Sequence, residues 1–414
     1  MAIWKECTLS EIGKIVGGAT PSTKKEENYG GDIPWITPKD LSNFSGRYIS
    51  RGERNITEKG LKSCSTQIMP KNSILFSSRA PIGYVAIADN DLCTNQGFKS
   101  VVPNDNINPL FVYYLLKFNK DKIEGLGSGT TFKEVSGTTM KNVIVKVPET
   151  IEEQRRISSI LDAIDKKIEL NQEINNNLEQ QAQLLFKSWF VDFEPFNGSI
   201  PSDWEVVPLE KIVDFQNGYA FKSKELLNEP SSDCYQVFKQ GHISRGGGFI
   251  PDGTKSWYPK RLASKLERFV LKKGDILMAM TDMKDNVAIL GNTAIMPFDN
   301  EYIVNQRVGH IRANGYKGIT YPFIYLLTNS TNFLTNLRSR ANSGVQVNLS
   351  STEIKVSQTV LPSEKVNMAF SEITLPMFEA IISNQLENQQ LAQLRDTLLP
   401  KLMSGELDVS NIVL

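Results

Sequence analysis

Three side chains have the types and spacing for hydrolysis. Pro251-Asp252, followed by Asp282-Met283-Lys284, resembles the acidic cluster of metal-dependent nucleases. There, carboxylates hold Mg²⁺ and a lysine helps activate water. The pattern is loose, and the matching stretch of the first half, Phe76-Ser-Ser-Arg-Ala80, lacks it. Other catalytic signatures are missing. No Pro-Pro dipeptide exists, so the Asn/Asp-Pro-Pro-aromatic motif of an adenine methyltransferase is absent. Gly127-Ser-Gly-Thr-Thr-Phe-Lys133 is glycine-rich but lacks the GK[ST] ending of a nucleotide-driven motor. The two histidines, His242 and His310, and four dispersed cysteines rule out a His-rich metal site and a CxxC zinc site. No cofactor or metal is expected.

The other chemistry open to the chain is recognition of base edges. Arg or Lys can read guanine, and Asn or Gln can read adenine. In the first half Lys39, Arg79, Thr130, Thr131 and Lys133 are the candidates; Arg79 follows a strand in a sharp Ser-Ser-Arg-Ala-Pro turn. In the second half His242 and Arg245 stand in Gln240-Gly-His-Ile-Ser-Arg-Gly-Gly-Gly248, with Lys284, Arg307 and Gln346 as further candidates. Taken singly, each is as well explained as a solvated surface group, and a lone histidine is more often structural. Asn95 and Asn305 both stand before a glutamine, which suits a structural part common to both halves. Sequence-reading residues should differ between the copies.

Such side chains need a scaffold, and the scaffold reads as a duplication. Trp4, Leu9 and Ile12 recur 200 residues later as Trp204, Leu209 and Ile212. Gly18 recurs as Gly218, and Met69–Phe76 as Leu271–Met278. Asn95-Gln96, Ser128-Gly129 and Val147-Pro148 recur as Asn305-Gln306, Ser343-Gly344 and Leu361-Pro362. Order is kept while the offset drifts, as loop insertions would make it. Charge follows the same rhythm. The 46 basic and 46 acidic residues balance, yet 1–150 and 201–363 each carry 19 basic against 15 acidic residues. The stretches 151–200 and 364–414 are acidic. Two mildly basic globules joined by two acidic connectors suit weak attraction to phosphates.

Each globule reads as mixed α/β, with strands at 32–37, 73–77 and 84–88 and short proline-started helices at 109–116 and 321–327. The connectors read as long helices. Leu161, Ile164, Ile168, Asn171, Asn175, Leu178, Ala182, Leu185 and Trp189 follow steps of three and four. Ile373, Met377, Ala380, Asn384, Leu391 and Leu398 are read as a second seam aligned with the first at an offset of 213 residues, with Asn384 matching Asn171. Seam asparagines either fix register or rotate to solvent. Neither helix alone could bury its stripe, so the two are expected to pair antiparallel. The expected order is a globule at 1–150, a helix at 151–190, a Pro/Gly/Ser linker at 191–203, a globule at 204–363, a helix at 364–405 and a tail at 406–414. The fold class is duplicated mixed α/β, pseudo-two-fold, with coiled-coil helices between the globules.

Over essentially its whole length the sequence resembles the DNA-specificity subunits of type I restriction-modification systems. The paired Trp4…Leu9 and Trp204…Leu209 starts carry the likeness, with Gly129-Thr-Thr-Phe-Lys-Glu-Val-Ser136 and the junction Val145-Lys-Val-Pro148 to Glu153-Gln154-Arg155-Arg156-Ile157. The terminal Leu391-Ala-Gln-Leu-Arg-Asp-Thr-Leu-Leu-Pro-Lys-Leu-Met-Ser-Gly405 is the other such stretch. The second copy departs at its junction, with Ser363-Glu364-Lys365 where Glu-Gln-Arg is expected. The resemblance implies a non-catalytic subunit whose two recognition domains each read half of a bipartite double-stranded DNA site. It implies helices that set the spacer and dock two methyltransferase subunits, with motor-nuclease subunits joining that core. Dispersed cysteines and the lack of an apolar leader suit the cytoplasm. A nuclease built on Asp252, Asp282 and Lys284, or a protein-binding coiled-coil scaffold, are the alternatives.

Overall fold

The structure is a computed structural model that describes residues 3–42, 44, 46–79, 81–129, 133–231, 233–283, 287–343 and 346–409. The chain divides into two compact units, 1–169 with 389–414 and 170–388. Both boundaries fall inside long helices, Ile151–Phe190 and Glu364–Ser404.

In the first unit Trp4–Thr8 pairs antiparallel with Ile144–Pro148, joining the beginning of the globule to its end. A five-stranded sheet runs Gly13–Gly17, Lys99–Pro103, Ile74–Phe76, Val85–Ala88, Tyr48–Ile49. A three-stranded sheet centres on Tyr29–Ile36, antiparallel to Arg54–Ile56 and parallel to Cys93–Thr94. Helix Pro109–Phe118 covers the larger sheet. Proline stands at its first position, and the Asn108 side chain accepts from Phe111 N at 2.9 Å. Phe111, Tyr114, Leu115 and Leu116 fill the core with Ile74, Phe76 and Val101.

The second unit uses corresponding pairings. Glu205–Pro208 pairs with Gln358–Leu361. A four-stranded sheet runs Val213–Asn217, Val308–Ala313, Ile276–Ala279, Thr293–Ile295. Cys234–Phe238 lies antiparallel to Trp257–Pro259 and parallel to Tyr302–Val304. Helix Tyr321–Asn329 carries Pro322 as its second residue and buries Phe323, Ile324 and Leu326. Two glycines mark one constraint in both units. A Cβ on Gly18 would lie 2.1 Å from Asn95 O, and one on Gly218 2.1 Å from Asn305 O. Asn95 Oδ1 accepts from Gly97 N at 2.9 Å, and Asn305 Oδ1 from Arg307 N at 3.4 Å. These asparagines shape the turn itself.

The long helices pack by different means in each unit. In the first, Ile157 and Leu161 are buried against Leu402 and Met403, with Leu398 alongside. Ile164 is buried, while Ile168 and Leu391 are half-buried. Arg395 Nη1 reaches Asp165 Oδ1 at 3.0 Å. A Cβ on Gly405, at φ +79, would lie 2.6 Å from Trp4 Nε1, so glycine ends the helix where tryptophan closes over it. In the second unit Asn171 is fully buried, and its Nδ2 donates to Glu387 Oε2 at 2.7 Å and Asn388 Oδ1 at 2.8 Å. Asn384 Nδ2 donates to Asn175 Oδ1 at 2.8 Å. One helix ascends as the other descends through these rungs, so here the segments run antiparallel. Ala182 and Phe186 are buried and Leu178, Leu185 and Met377 half-buried in the same core.

Two expectations are corrected. Ile373 is 41% exposed, whereas Thr374 and Ile381 are buried. The true equivalents of Leu161 and Ile168 at the 213-residue offset are therefore Thr374 and Ile381, one step on from Ile373 and Ala380. The apolar eye chooses isoleucine where the helix face demands threonine, whose hydroxyl bonds back to Phe370 O at 2.9 Å. The 191–203 stretch is also more ordered than a Pro/Gly/Ser linker implies. Phe193 and Asn197 hold left-handed backbone, and the Phe190, Phe193 and Phe196 rings lie 5.8, 6.0 and 4.9 Å from that of Trp204.

The apparent departure at the second junction has a physical resolution. Gln154 donates to Pro148 O at 3.1 Å and accepts from Asn108 N at 2.8 Å. At the 213-residue offset stands Asn367, which donates to Pro362 O at 3.1 Å and Lys317 O at 3.0 Å. Each buried amide staples the end of the last strand to the globule, and Asn367 does so without the Glu-Gln-Arg sequence.

Candidate nucleic-acid interface

An open groove of the second unit follows strand Val213–Asn217 and the turn after it. Three depressions adjoin there: the first and second share Asn217, Gly218 and Ala220, and the second and third share Phe215, Gln216 and Arg268. Arg268, Arg307, Arg312 and Lys355 line them, with Gln306, Thr281 and Asn348; Asp214 is the acid present. Arg307 is exposed on the turn braced by Asn305. Arg268 lies over the Phe269 ring at 4.6 Å, which holds the guanidinium against the groove wall.

The floor is a hydrogen-bonded chain. Gln216 and His310 are direct cross-strand partners. Gln216 Nε2 lies 2.6 Å from Arg268 O and 2.8 Å from His310 Nδ1. His310 Nε2 lies 2.8 Å from Asp275 Oδ2, at an angle poorer than its distance. Arg312 donates to both Asp275 oxygens at 2.5 and 2.8 Å. Burial alone would raise the Asp275 pKa. The hydrogen bonds from Arg312 and His310 outweigh burial and hold it below the usual range. In the first unit the matching strand register has Val16, Ser100 and Val102 at the equivalents of Gln216, His310 and Arg312, and Ser73 precedes its strand as Asp275 does.

The corresponding surface of the first unit is balanced. Arg79 Nε meets Glu134 Oε2 at 2.9 Å, and Lys99 Nζ lies 3.6 Å from its other oxygen. The Arg79 hydrogen bond holds the Glu134 carboxyl below its ordinary range. Lys133, beside Glu134, is exposed. Lys39 is exposed and pairs with Glu53 at 2.7 Å. Thr130 and Thr131 lie outside the described residues.

Other expected readers part company with the groove. His242 is fully buried, stacked 5.1 Å from Phe238, with its Nδ1 3.1 Å from both the N and the O of Lys239. Burial pushes its pKa down. Its ring shores up the 240–248 loop and cannot reach a base. Arg245 is exposed beside Gly246, Gly247 and Gly248, all at positive φ. Lys284 and the Gln346 side chain lie outside the described residues. Asp282 spends its carboxylate on backbone: Oδ1 accepts from Met283 N, and Oδ2 from Ile289 N and Leu290 N at 2.8 and 3.2 Å. Asp252 is 89% exposed and pairs with Lys255. Arg268, Gln216, Gln306 and Lys355 were not singled out by sequence. The repeat could have found Gln216, whose counterpart Val16 is apolar.

The family model for the type I restriction modification DNA specificity domain matches the chain twice, over residues 1–180 and 201–394. The chain belongs to this specificity family. The type I restriction enzyme MjaIX specificity subunit of Methanocaldococcus jannaschii is 35% identical, covering 99% of this chain and 94% of that protein. The HindI specificity subunit of Haemophilus influenzae is 24% identical over 98% of this chain and all of its own length. The crystal structure of a type I restriction-modification S subunit from M. genitalium aligns with a TM-score of 0.57 at 18% identity, covering 97% and 96% of the two chains. That likeness is one of fold: mixed α/β with long helices. Among the described residues of this family member no helix is long and apolar enough to cross a membrane.

Proposed function

We propose that the chain is the DNA-specificity subunit of a type I restriction-modification complex, with each globule reading one half of a bipartite double-stranded site. The observation that carries this reading is the double match of one specificity-domain model, to two halves whose polar surfaces differ. Two readers of one fold with different side chains suit two unlike half-sites. The subunit is non-catalytic. Asp282 accepts from backbone amides and exposed Asp252 pairs with Lys255, which supports a structural over a nucleolytic use of these carboxylates. A pure scaffold would not need the cation-lined groove.

The fold is a duplication related by a pseudo-two-fold. The contacts Asn171–Asn388 and Asn175–Asn384 exchange under the 213-residue offset, as such symmetry requires. The long helices set the spacer and dock two methyltransferase subunits, and motor-nuclease subunits join that assembly. Arg79 and Lys133 serve one half-site; Arg245 and Arg307 serve the other. The test is methylation of a randomised duplex library by this chain with its methyltransferase partner. A bipartite motif is expected. Four residues inserted near Asn176 add about 6 Å of helix and should lengthen the spacer by about one or two base pairs, with half-sites unchanged. Cutting by the chain alone with Mg²⁺, or no sequence preference with the partner present, overturns the reading.

A further inference from the structure

The polarity of one groove amide is fixed by its neighbours. Gln216 lies 2.6 Å from the Arg268 carbonyl oxygen, which can only accept. The nitrogen of the amide must therefore face it, since the reverse orientation would set two oxygens against each other. The same nitrogen lies 2.8 Å from His310 Nδ1, so that ring nitrogen accepts and the ring proton sits on Nε2. Nε2 faces Asp275 Oδ2 at 2.8 Å, an acceptor that Arg312 anchors through two hydrogen bonds. The chain Arg312–Asp275–His310–Gln216 thus has one direction, and both amide protons of Gln216 are spent. Oε1 has no partner among the described residues and is not a sealed atom: Gln216 lines two of the three depressions.

We infer that Gln216 is a specificity-determining residue of the second unit, presenting a fixed hydrogen-bond acceptor to a base amino group, with His310 as its positioning residue. This rests on the DNA-specificity reading. A free glutamine can accept or donate and so tolerates either kind of base edge. A glutamine held acceptor-outward favours the strand that carries adenine N6 or cytosine N4 at its position, and rejects the swapped pair, which offers thymine O4 or guanine O6. Arg268 and Arg312 flank it, and Arg307 lies further along the groove, where cations would meet phosphates or guanine. Val16 at the equivalent position of the first unit has no such acceptor, so the effect belongs to one half-site.

The experiment is methylation of a randomised duplex library by the complex of this chain with its methyltransferase, using S-adenosylmethionine. Gln216→Met removes the acceptor at similar length. It should raise methylation of sites carrying the swapped base pair at one position of one half-site about tenfold relative to the parental pair. His310→Phe removes one of the two acceptors that hold the amide and should relax that same position less than Gln216→Met does. The other half-site should be unchanged throughout. The inference is overturned if the parent shows a bipartite motif that Gln216→Met leaves intact. It is overturned equally if Gln216→Met and His310→Phe alter different positions. A parent complex with no bipartite motif instead sinks the specificity reading beneath it.

Discussion

The first unit grips its helix segments with ions, the second with rings. In the first, Arg47 is 4% exposed and reaches Asp162 at 2.5 Å and both oxygens of Glu169 at 2.8 and 2.7 Å. Beside it Tyr114 donates to Asp165 at 2.7 Å, and Asp165 also receives Arg395. In the second, Phe186, Trp189, Phe190, Phe323 and Phe370 form one aromatic cluster, with ring separations from 4.8 to 6.2 Å. Its polar contacts, Tyr325 to Glu179 at 2.6 Å and Tyr321 to Glu379 at 3.1 Å, lie beside the rings. The same strand pairings thus tolerate two solutions. Ring packing supplies burial and resists salt. A buried guanidinium fork supplies geometry, because its partners must stand in one plane at one spacing.

The largest effect should come from the rings. Phe370→Ala empties a fully buried site touching four aromatic neighbours and should cost about 3–5 kcal/mol. Urea unfolding followed by tryptophan fluorescence reports it, because Trp189 and Trp204 stand in or beside the cluster. The loss should be the same at low and high salt. A cost under about 1 kcal/mol, or a strong salt dependence, would break the contrast between the units.

Arg47→Ala comes next. It leaves Asp162 and Glu169 without their partner, a change that in a fully buried triad costs about 3–5 kcal/mol. The Glu169 side chain is 35% exposed, so about 2 kcal/mol is expected here. Arg47→Lys should recover little, since one ammonium cannot serve three carboxylate oxygens in the fork's geometry. Full recovery by lysine, seen in the same urea titration, would mean that charge alone matters.

A smaller effect separates the units by pH. Both histidines lie in the second unit, and burial pushes the His242 pKa below its ordinary value. The unfolded chain then binds a proton that the folded chain refuses. Stability is therefore complete above about pH 6.5 and falls as pH drops below it, by at most about 1.4 kcal/mol per pH unit. Unfolding of the second unit between pH 7 and 5 should show this slope, and His242→Asn should flatten it. The first unit has no histidine to respond in that window. An equal slope in both units would refute the assignment.

How far these differences were legible in sequence depends on what repeats. The Trp, Gly and Asn-Gln landmarks recur because the same strand pairings and turns need them, and a repeat advertises itself. The first long helix was legible because apolar steps of three and four run unbroken. The second was harder. Its helix runs through Pro376 and Pro400, and its buried face uses Thr374 where Ile373 looks more apolar. Arg47 was invisible for another reason. Nothing in a lone arginine says that two acids more than 100 residues away will close on it. Gln216 was hidden likewise, since its polarity comes from the Arg268 carbonyl and His310 across the sheet. His242 misled because a glycine-rich loop suggests exposure, whereas the loop folds over the ring. Local pattern reveals elements; a site assembled by sheet register appears only once the strands are paired.

The smallest stability effect belongs to Lys39, and it sharpens the comparison by what it leaves untouched. Its ammonium and the Glu53 carboxylate are 78% and 63% exposed, 2.7 Å apart. Water screens such a pair, and two mobile side chains lose entropy to form it, so Lys39→Gln should change stability by well under 1 kcal/mol. Its effect on DNA should have a different character. A lysine this exposed, far from any fork that would orient it, can meet a phosphate but has nothing to fix it against one base. Loss of a phosphate contact weakens binding of all sequences alike and reduces the slope of log K against log salt by about one. Arg307→Gln, on its asparagine-braced turn, should instead relax one position of the other half-site by about 1–3 kcal/mol. Titrating the assembled complex with matched and mismatched duplexes at several salt concentrations separates the two. If Lys39→Gln relaxes a base position while leaving the salt slope alone, Lys39 is a reader, and Glu53 is the partner that orients it.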